Sequence, residues 1–394
     1  MLQDFDEVVP RENTDCSKYD DRMNRLGRAD VLPMWVADMD FRAPECVRET
    51  FLRLIDHGIY GYHLKTDKYF RAIINWFQRR HGYAIARESI FFTPGVVPAL
   101  SHLVQALTKK GAGIIIQPPV YTPFFWAIQV NERQVLQNQL LETGGEYVID
   151  FDDLESKARE AAMLILSSPH NPVGRVWRHE ELERIADICL RHSVIILSDE
   201  IHNDLVYGTH RHVPIASLSP EVDRITVTCH SASKTFNLAG LSTAYVVIKS
   251  PELRQAYKEG VAPLHVEALN TFGLRAMEAV FTQGEPWLHE LLDYLWGNYQ
   301  TLSSFLAETL PGVKAISLEG TYLVWLDFRG WGLDHKSLRQ LIIEKAHVGL
   351  HDGPTFGPGG EGFQRMNIGC PRQVLRKALE QLRACAPQSV KRTQ

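Results

Sequence analysis

The spacing of apolar and polar residues divides this chain into three regions. Residues 1–45 carry no sustained periodicity, and Pro10, Pro33 and Pro44 punctuate them, which predicts irregular backbone. Helical spacing begins at Cys46 and runs to about His57. A second helix is predicted from about Lys68 to Arg80, where Phe70, Ile73, Ile74 and Phe77 recur on one face. Short apolar runs then alternate with amphipathic stretches. Strands are predicted at Gly113–Gln117, Met163–Ser167, Val194–Ser198, Arg224–Cys229 and Thr243–Ile248. Helices are predicted between them, around Val97–Thr108, Tyr121–Val130, His179–Arg191 and Pro251–Lys258. This alternation predicts an α/β fold in which a large domain holds a mostly parallel sheet sandwiched by helices. Ligands of such sheets bind beyond the carboxyl ends of the strands.

From about Glu285 the pattern changes. A long helical stretch leads to a strand (Tyr322–Asp327), a helix (His335–Lys345), a strand near Arg365–Ile368 and a last helix from Pro371. That order predicts a smaller α+β domain. The N-terminal segment has no place in the large sheet and is expected to join it. The domains are therefore drawn as 46–284 (large) and 1–45 with 285–394 (small).

Composition narrows the class. A chain of 394 residues suits two domains, and 45% hydrophobic with 23% charged residues is the mix of an ordinary globular protein. A net charge of −5 and a pI of about 6.4 argue against nucleic acid as a partner. The six cysteines, at 16, 46, 189, 229, 370 and 385, form no CxxC pair and match no zinc spacing, so neither a disulfide framework nor a metal is expected. The N-terminal MLQDFDEVVPRENTD lacks an apolar signal core, and no apolar run approaches the roughly 20 residues that span a bilayer. The expectation is a cytoplasmic protein with no membrane contact.

Candidate chemistry collects just after the strands. A lysine taken alone is a solvated charge, but Lys234 follows a predicted strand closely, between hydroxyls that can hold a phosphate, Ser231 and Ser233. A lysine so placed can form a Schiff base with an aldehyde. Asp199 ends the run SVIILSDE and is either a helix cap or a carboxylate for a protonated pyridine nitrogen. His202, three residues on, shares a helical face with Asp199 if that segment is helical, and can bond a ring hydroxyl or Asp199 itself. Asn171, in SSPHNPVGRVW, is either a turn former or a donor to a phenolic oxygen. In TPGVVPAL, Gly95 and Pro98 open a helix whose free N–H groups at Val96 and Val97 can bind phosphate. Tyr121 is either a core residue or a stacking partner for an aromatic cofactor. Arg365 lies within an apolar strand, where a charge is costly unless it meets a carboxylate. Gly357, Gly359, Gly360 and Gly362 do not follow a strand and open a helix, so they are read as a mobile or close-packed loop, not a dinucleotide site.

Taken together, these segments resemble the fold-type I pyridoxal-5′-phosphate (PLP) enzymes of the aminotransferase class I/II superfamily, over nearly the whole chain. The resemblance implies that Lys234 holds the cofactor aldehyde and Asp199 pairs with its pyridinium. Asn171 would contact the ring oxygen, Tyr121 would stack on the ring, and Arg365 would grip the substrate α-carboxylate. Tyr62, in YGY, resembles the tyrosine that reaches the phosphate of the neighbouring subunit, which implies a homodimer with shared active sites. LPMWVADMDF, DEIHNDL, SASKTFNLAGL and FGPGGEGFQRMNIGCP resemble the cystathionine β-lyase, or cysteine-S-conjugate β-lyase, subgroup. Two departures from the aminotransferase pattern agree: His202 stands where many aminotransferases carry Tyr, and Ser242 where they commonly carry Arg.

The expected reaction is therefore α,β-elimination on L-cystathionine or another cysteine S-conjugate, a small amino-acid substrate. Lys234 would act as general base at Cα, and Lys234 or Tyr121 would supply the proton to the leaving thiolate. On resemblance alone, the backbone near Val36–Ala37 and Tyr322 would line the substrate pocket. Two alternatives remain at this point: an aminotransferase, and a non-catalytic regulatory protein on the same fold.

Overall fold

The computed structural model describes residues 3–268 and 270–387. Seven strands build the main sheet: β1 (Ile90–Thr93), β2 (Gly113–Ile116), β3 (Gln134–Gln137), β4 (Ala161–Ser167), β5 (Ile195–Asp199), β6 (Thr226–His230) and β7 (Ala244–Ile248). Their spatial order is β1-β7-β6-β5-β4-β2-β3. The pairings from β6 through β3 are parallel, as the alternation of apolar runs and helices predicts. Both faces of β2, β4, β5 and β6 are buried. Ile114, Ile116, Met163, Ile165 and Leu197 pack on one side with the helices Val96–Leu107 and Pro251–Val261. Ile115, Leu164, Leu166 and Ile196 pack on the other with His179–Arg191. Two-sided burial explains why these strands read as continuous apolar runs without alternation.

Three features of this sheet differ from the sequence expectation, the first being the edge strand β3, which that expectation does not contain. Strand β7 runs antiparallel to β6 and β1. The chain between β6 and β7 folds as the short helix Ala232–Thr235 and a 3-10 turn, Ala239–Leu241, instead of a crossover helix. A connection that stays at one sheet edge returns the chain antiparallel. Strand β1, four residues of IFFT, was not read from the sequence at all. It runs antiparallel to β7 and so points the same way as β6, which brings its carboxyl end to the same edge.

A smaller sheet contains β8 (Lys314–Ala315), β9 (Leu323–Asp327), β10 (His351–Asp352) and β11 (Phe363–Asn367), in the order β8-β9-β11-β10 with every pairing antiparallel. The long helix Glu285–Thr309 leads into it. Residues 3–45 are more regular than the sequence suggested. They hold short helices at Ser17–Asp20 and Arg22–Leu26, and Leu32–Pro33 pairs in parallel with Val348–Gly349. These elements are too short to leave a periodic signature. Among the described residues, no helix is long and apolar enough to cross a membrane.

Candidate active site

The strand directions bring several chain segments to one sheet edge. Strands β4 and β5 end in register there, Ser167 opposite Asp199, and Asp199 faces Cys229 of β6. Strand β1 arrives at the same edge and delivers Gly95 and the helix Val96–Leu107. Because β7 is antiparallel, the residues that precede it, Ser242 and Thr243, lie there too. A cavity of about 210 Å³ opens at this edge. Ala37, Val96, Val97, Tyr121, Asn171, Asp199, His202, Ser231, Ser233 and Lys234 all line it.

Each side chain is held by local structure. Ser231 caps the short helix that carries Lys234, accepting from the Ser233 N–H at 3.0 Å while its hydroxyl donates to the Thr243 carbonyl at 2.8 Å. Lys234 Nζ donates to the Ala37 carbonyl at 2.6 Å. Asn171 sits in a turn whose Gly174 has φ +75°, and a Cβ there would meet Leu318 Cδ1 at 3.0 Å. Behind this turn the buried Arg175 bonds Glu181 and Glu319, tying it to the segment before Tyr322. At the start of the helix Val96–Leu107, helical geometry leaves the N–H groups of Val96 and Val97 without intrahelical acceptors.

Burial sets the protonation of the site. It pushes the Lys234 ammonium down to about 8, assisted by the charge of Arg365 and opposed by Asp38 and Asp199. Burial also raises the Asp199 carboxyl to about 7, against a bond from the Ile201 N–H at 3.2 Å and the attraction of Lys234. His202 is held well below its ordinary range, first by burial and then by the charges of Lys234 and Arg365. Its Nδ1 is buried with no partner. The Tyr121 phenol is raised by burial and by Asp199.

Arg365 and Tyr322 stand one layer behind the cavity wall. Arg365 donates to Asn171 Oδ1 at 2.9 Å and to the Trp35 carbonyl at 3.1 Å, and the Tyr322 hydroxyl donates to the Ala37 carbonyl at 2.8 Å. Residues 34–40 thus form a strap whose carbonyls meet both Lys234 and Arg365. Asn367 Nδ2 holds the strap at the Val36 and Asp38 carbonyls, both at 2.6 Å, and Asn237 holds Met39. Beneath it, the buried Lys18 bonds both oxygens of Asp40 at 3.0 Å, and Arg11 bridges Asp38 and Asp40.

One expectation needs correction. The segment after Asp199 is a series of turns, with Asn203 N–H bonded to the Glu200 carbonyl and Leu205 N–H to that of His202. Asp199 therefore caps no helix and shares no helical face with His202. Its carboxylate closes a turn on the Ile201 N–H instead, which aims both side chains into the cavity. Tyr62, whose expected place is the phosphate site of a second copy, lies away from this chain's own cavity. It is fully exposed, in a separate surface hollow beside Tyr60, His63 and Lys65. The glycine loop, left open between mobile and close-packed, is close-packed: a Cβ on Gly353 would strike the Gly360 carbonyl, and one on Gly357 would meet Phe125 at 2.7 Å. Sequence reasoning missed Ser167, Ile201, Ala239 and Thr243, which line the cavity, and the roles of Trp35, His351 and Asn367 behind it. Only Asn367 carried a signal, as a polar residue in the same apolar strand as Arg365.

These groups meet the demands of a phosphorylated pyridine aldehyde. Lys234 is an amine near its titration midpoint, and Asp199 is a buried carboxyl with room for a cationic partner. His202, whose buried Nδ1 has no partner, lines the same space, and the N–H groups of Val96 and Val97 with Ser231 and Ser233 can hold a phosphate. An α/β sheet with a half-buried lysine at its carboxyl edge fits the class of Schiff-base-forming cofactor enzymes. The chain belongs to the aminotransferase class I and II family, whose model matches residues 29–382. It is 44% identical to cystathionine beta-lyase PatB of Bacillus subtilis over 96% of this chain and 99% of that protein. Cystalysin of Treponema denticola, whose crystal structure contains pyridoxal 5′-phosphate, superposes with a TM-score of 0.95 at 35% identity, covering 98% and 99% of the two chains. The PLP-bound C-S lyase of Staphylococcus hominis superposes with a TM-score of 0.92 at 31% identity, also covering 98% and 99%.

Proposed function

We propose that this protein is a PLP-dependent carbon–sulfur β-lyase that cleaves L-cystathionine or cysteine S-conjugates to a thiol, pyruvate and ammonia. One observation carries the reading. The Lys234 amine and the Asp199 carboxyl line one cavity backed by the buried Arg365, which no carboxylate neutralises among the described residues. An α-amino acid supplies the missing carboxylate. The names of PatB and the C-S lyase of Staphylococcus hominis support carbon–sulfur cleavage over transamination.

The cofactor, when bound, supplies an aldehyde for amines and a protonated ring that draws electrons from the substrate Cα. The protein's residues do the rest. Asp199 keeps the proton on the ring nitrogen, while Asn171, His202 and Tyr121 hold the ring. Val96, Val97, Ser231 and Ser233 bind the phosphate, and Arg365 binds the substrate carboxylate beside Ala37 and Tyr322. Lys234, whose free amine is held down to about 8, takes the proton from Cα in its neutral form. Lys234 or Tyr121 returns a proton to the departing sulfur. Tyr62, exposed on one chain, would complete the phosphate site of a second copy in a homodimer, and the protein would act in the cytoplasm. The same reading divides the chain into a cofactor-binding domain, 46–284, and a small domain of 1–45 with 285–394; the pairing of Leu32–Pro33 with Val348–Gly349 supports it.

The test is incubation with cystathionine or an S-alkylcysteine in the absence of a keto acid. Pyruvate and thiol should appear in equal amounts. Turnover only when a keto-acid acceptor is added would establish the aminotransferase alternative instead.

A further inference from the structure

His351 stands directly opposite Arg365 in the register of β10 and β11. Its Nδ1 accepts a hydrogen bond from Arg365 Nη2 at 2.9 Å. The other acceptors are the Asn171 side-chain oxygen and the Trp35 carbonyl, and the guanidinium lies 5.0 Å over the ring of Phe356. Every one of these partners is neutral. A ring nitrogen accepts only while it carries no proton, and burial together with the charge of Arg365 keeps His351 in that state, pushed down to about 3. Arg365 makes no ion pair among the described residues, and its Nε is buried without any partner. The ordinary way to settle a buried arginine across a sheet is a facing carboxylate. Here the facing position has the reach of a glutamate but carries no charge.

We propose that His351 is a positioning residue that fixes the direction of the Arg365 guanidinium while leaving its charge uncompensated for the carboxylate of an amino-acid substrate. The proposal rests on the assignment of Arg365 to the substrate carboxylate. It explains why three neutral acceptors surround a buried cation: a carboxylate at 351 would satisfy the same N–H groups but compete with substrate for the charge.

The test compares His351→Gln with His351→Glu in the PLP-loaded enzyme, using an S-alkylcysteine as substrate. Gln keeps a neutral acceptor, whereas Glu adds a charge of the same reach. The Gln variant should keep KM within about threefold of the parent. The Glu variant should raise KM by about tenfold or more, the loss expected for one charge-assisted hydrogen bond. kcat should change less than KM, and the thermal midpoint of the Glu variant should equal or exceed that of the Gln variant. A merely structural role would make KM follow the loss of thermal midpoint. Equal KM for the two variants, or a Gln variant as impaired as the Glu variant, would overturn the proposal. If the Glu variant does not accumulate, His351→Asn against His351→Asp makes the same comparison. Arg365→Gln is the control: an unchanged KM there would overturn the carboxylate assignment itself, independently of His351.

Discussion

Replacing Asp199 by Asn should make the cofactor-free protein less sensitive to pH, with a sign opposite to that of most buried carboxylates. Burial raises this carboxyl from an ordinary value of 3.8 to about 7 in the folded chain. A group whose folded value is raised contributes stability that is fully present below the unfolded value and lost as pH rises through the folded one. Here the loss runs from pH 4 to pH 7 and amounts to about 4 kcal/mol at about 1.4 kcal/mol per tenfold change in proton affinity. About 2.7 kcal/mol of it falls between pH 5 and pH 8. With about 2.1 cal/mol/K of unfolding entropy per residue, that corresponds to about 3 °C in thermal midpoint for a chain of this length. Asn has the same shape and no charge to desolvate. In protein stripped of PLP, the midpoint of Asp199→Asn relative to the parent should therefore rise by about 3 °C between pH 5 and pH 8. With cofactor bound the order should reverse at pH 8, because the carboxylate then faces a cationic ring nitrogen. Calorimetry of the two proteins, stripped and loaded, reads both effects. Parallel pH dependence of parent and variant in the stripped state would refute the claim that Asp199 is a strained, unneutralised carboxyl.

Other expectations concern Lys234 and the strap. Lys234→Ala should lose about 10²–10⁴-fold in turnover, the range for removing a general base, together with the visible Schiff-base absorbance; a variant that stays yellow and active refutes the role. In the stripped parent, the rate of colour formation on adding PLP should climb with pH to a midpoint near 8, since only the neutral amine attacks, and a midpoint at the ordinary lysine value would contradict the burial argument. Lys18→Met leaves Asp40 paired with Arg11 and Asp40→Asn leaves Lys18 near Asp38, so each should cost about 1–3 kcal/mol in urea unfolding, and the double variant should recover part of that. Singles within about 0.5 kcal/mol of the parent would show that the pair does not anchor the strap.

The amino-acid sequence by itself determined the central parallel strands β2, β4, β5 and β6 and the residues at their ends, but not the edge strand β3. Apolar runs such as MLILS and VIILS are local, their ends mark where burial stops, and Asn171, Asp199 and Lys234 follow those ends within a few residues. What joins these segments is not local. The four-residue β1 and the reversal of β7 are too short, or too dependent on a distant partner, to leave a period of their own, yet they bring Val96, Val97 and Thr243 to the same edge as Lys234. The turn after Asp199 read as a possible helix because local spacing cannot distinguish a capped helix from a side chain that closes a turn. Residues 34–40 looked irregular for a similar reason: their order comes from Asn237, Asn367, Lys18 and Arg11, which only the folded chain brings to them. The protonation of the site was likewise beyond the sequence. A Lys234 near 8, an Asp199 near 7 and an Arg365 with neutral partners depend on burial and on charges brought together across the fold, and both are properties of tertiary distance.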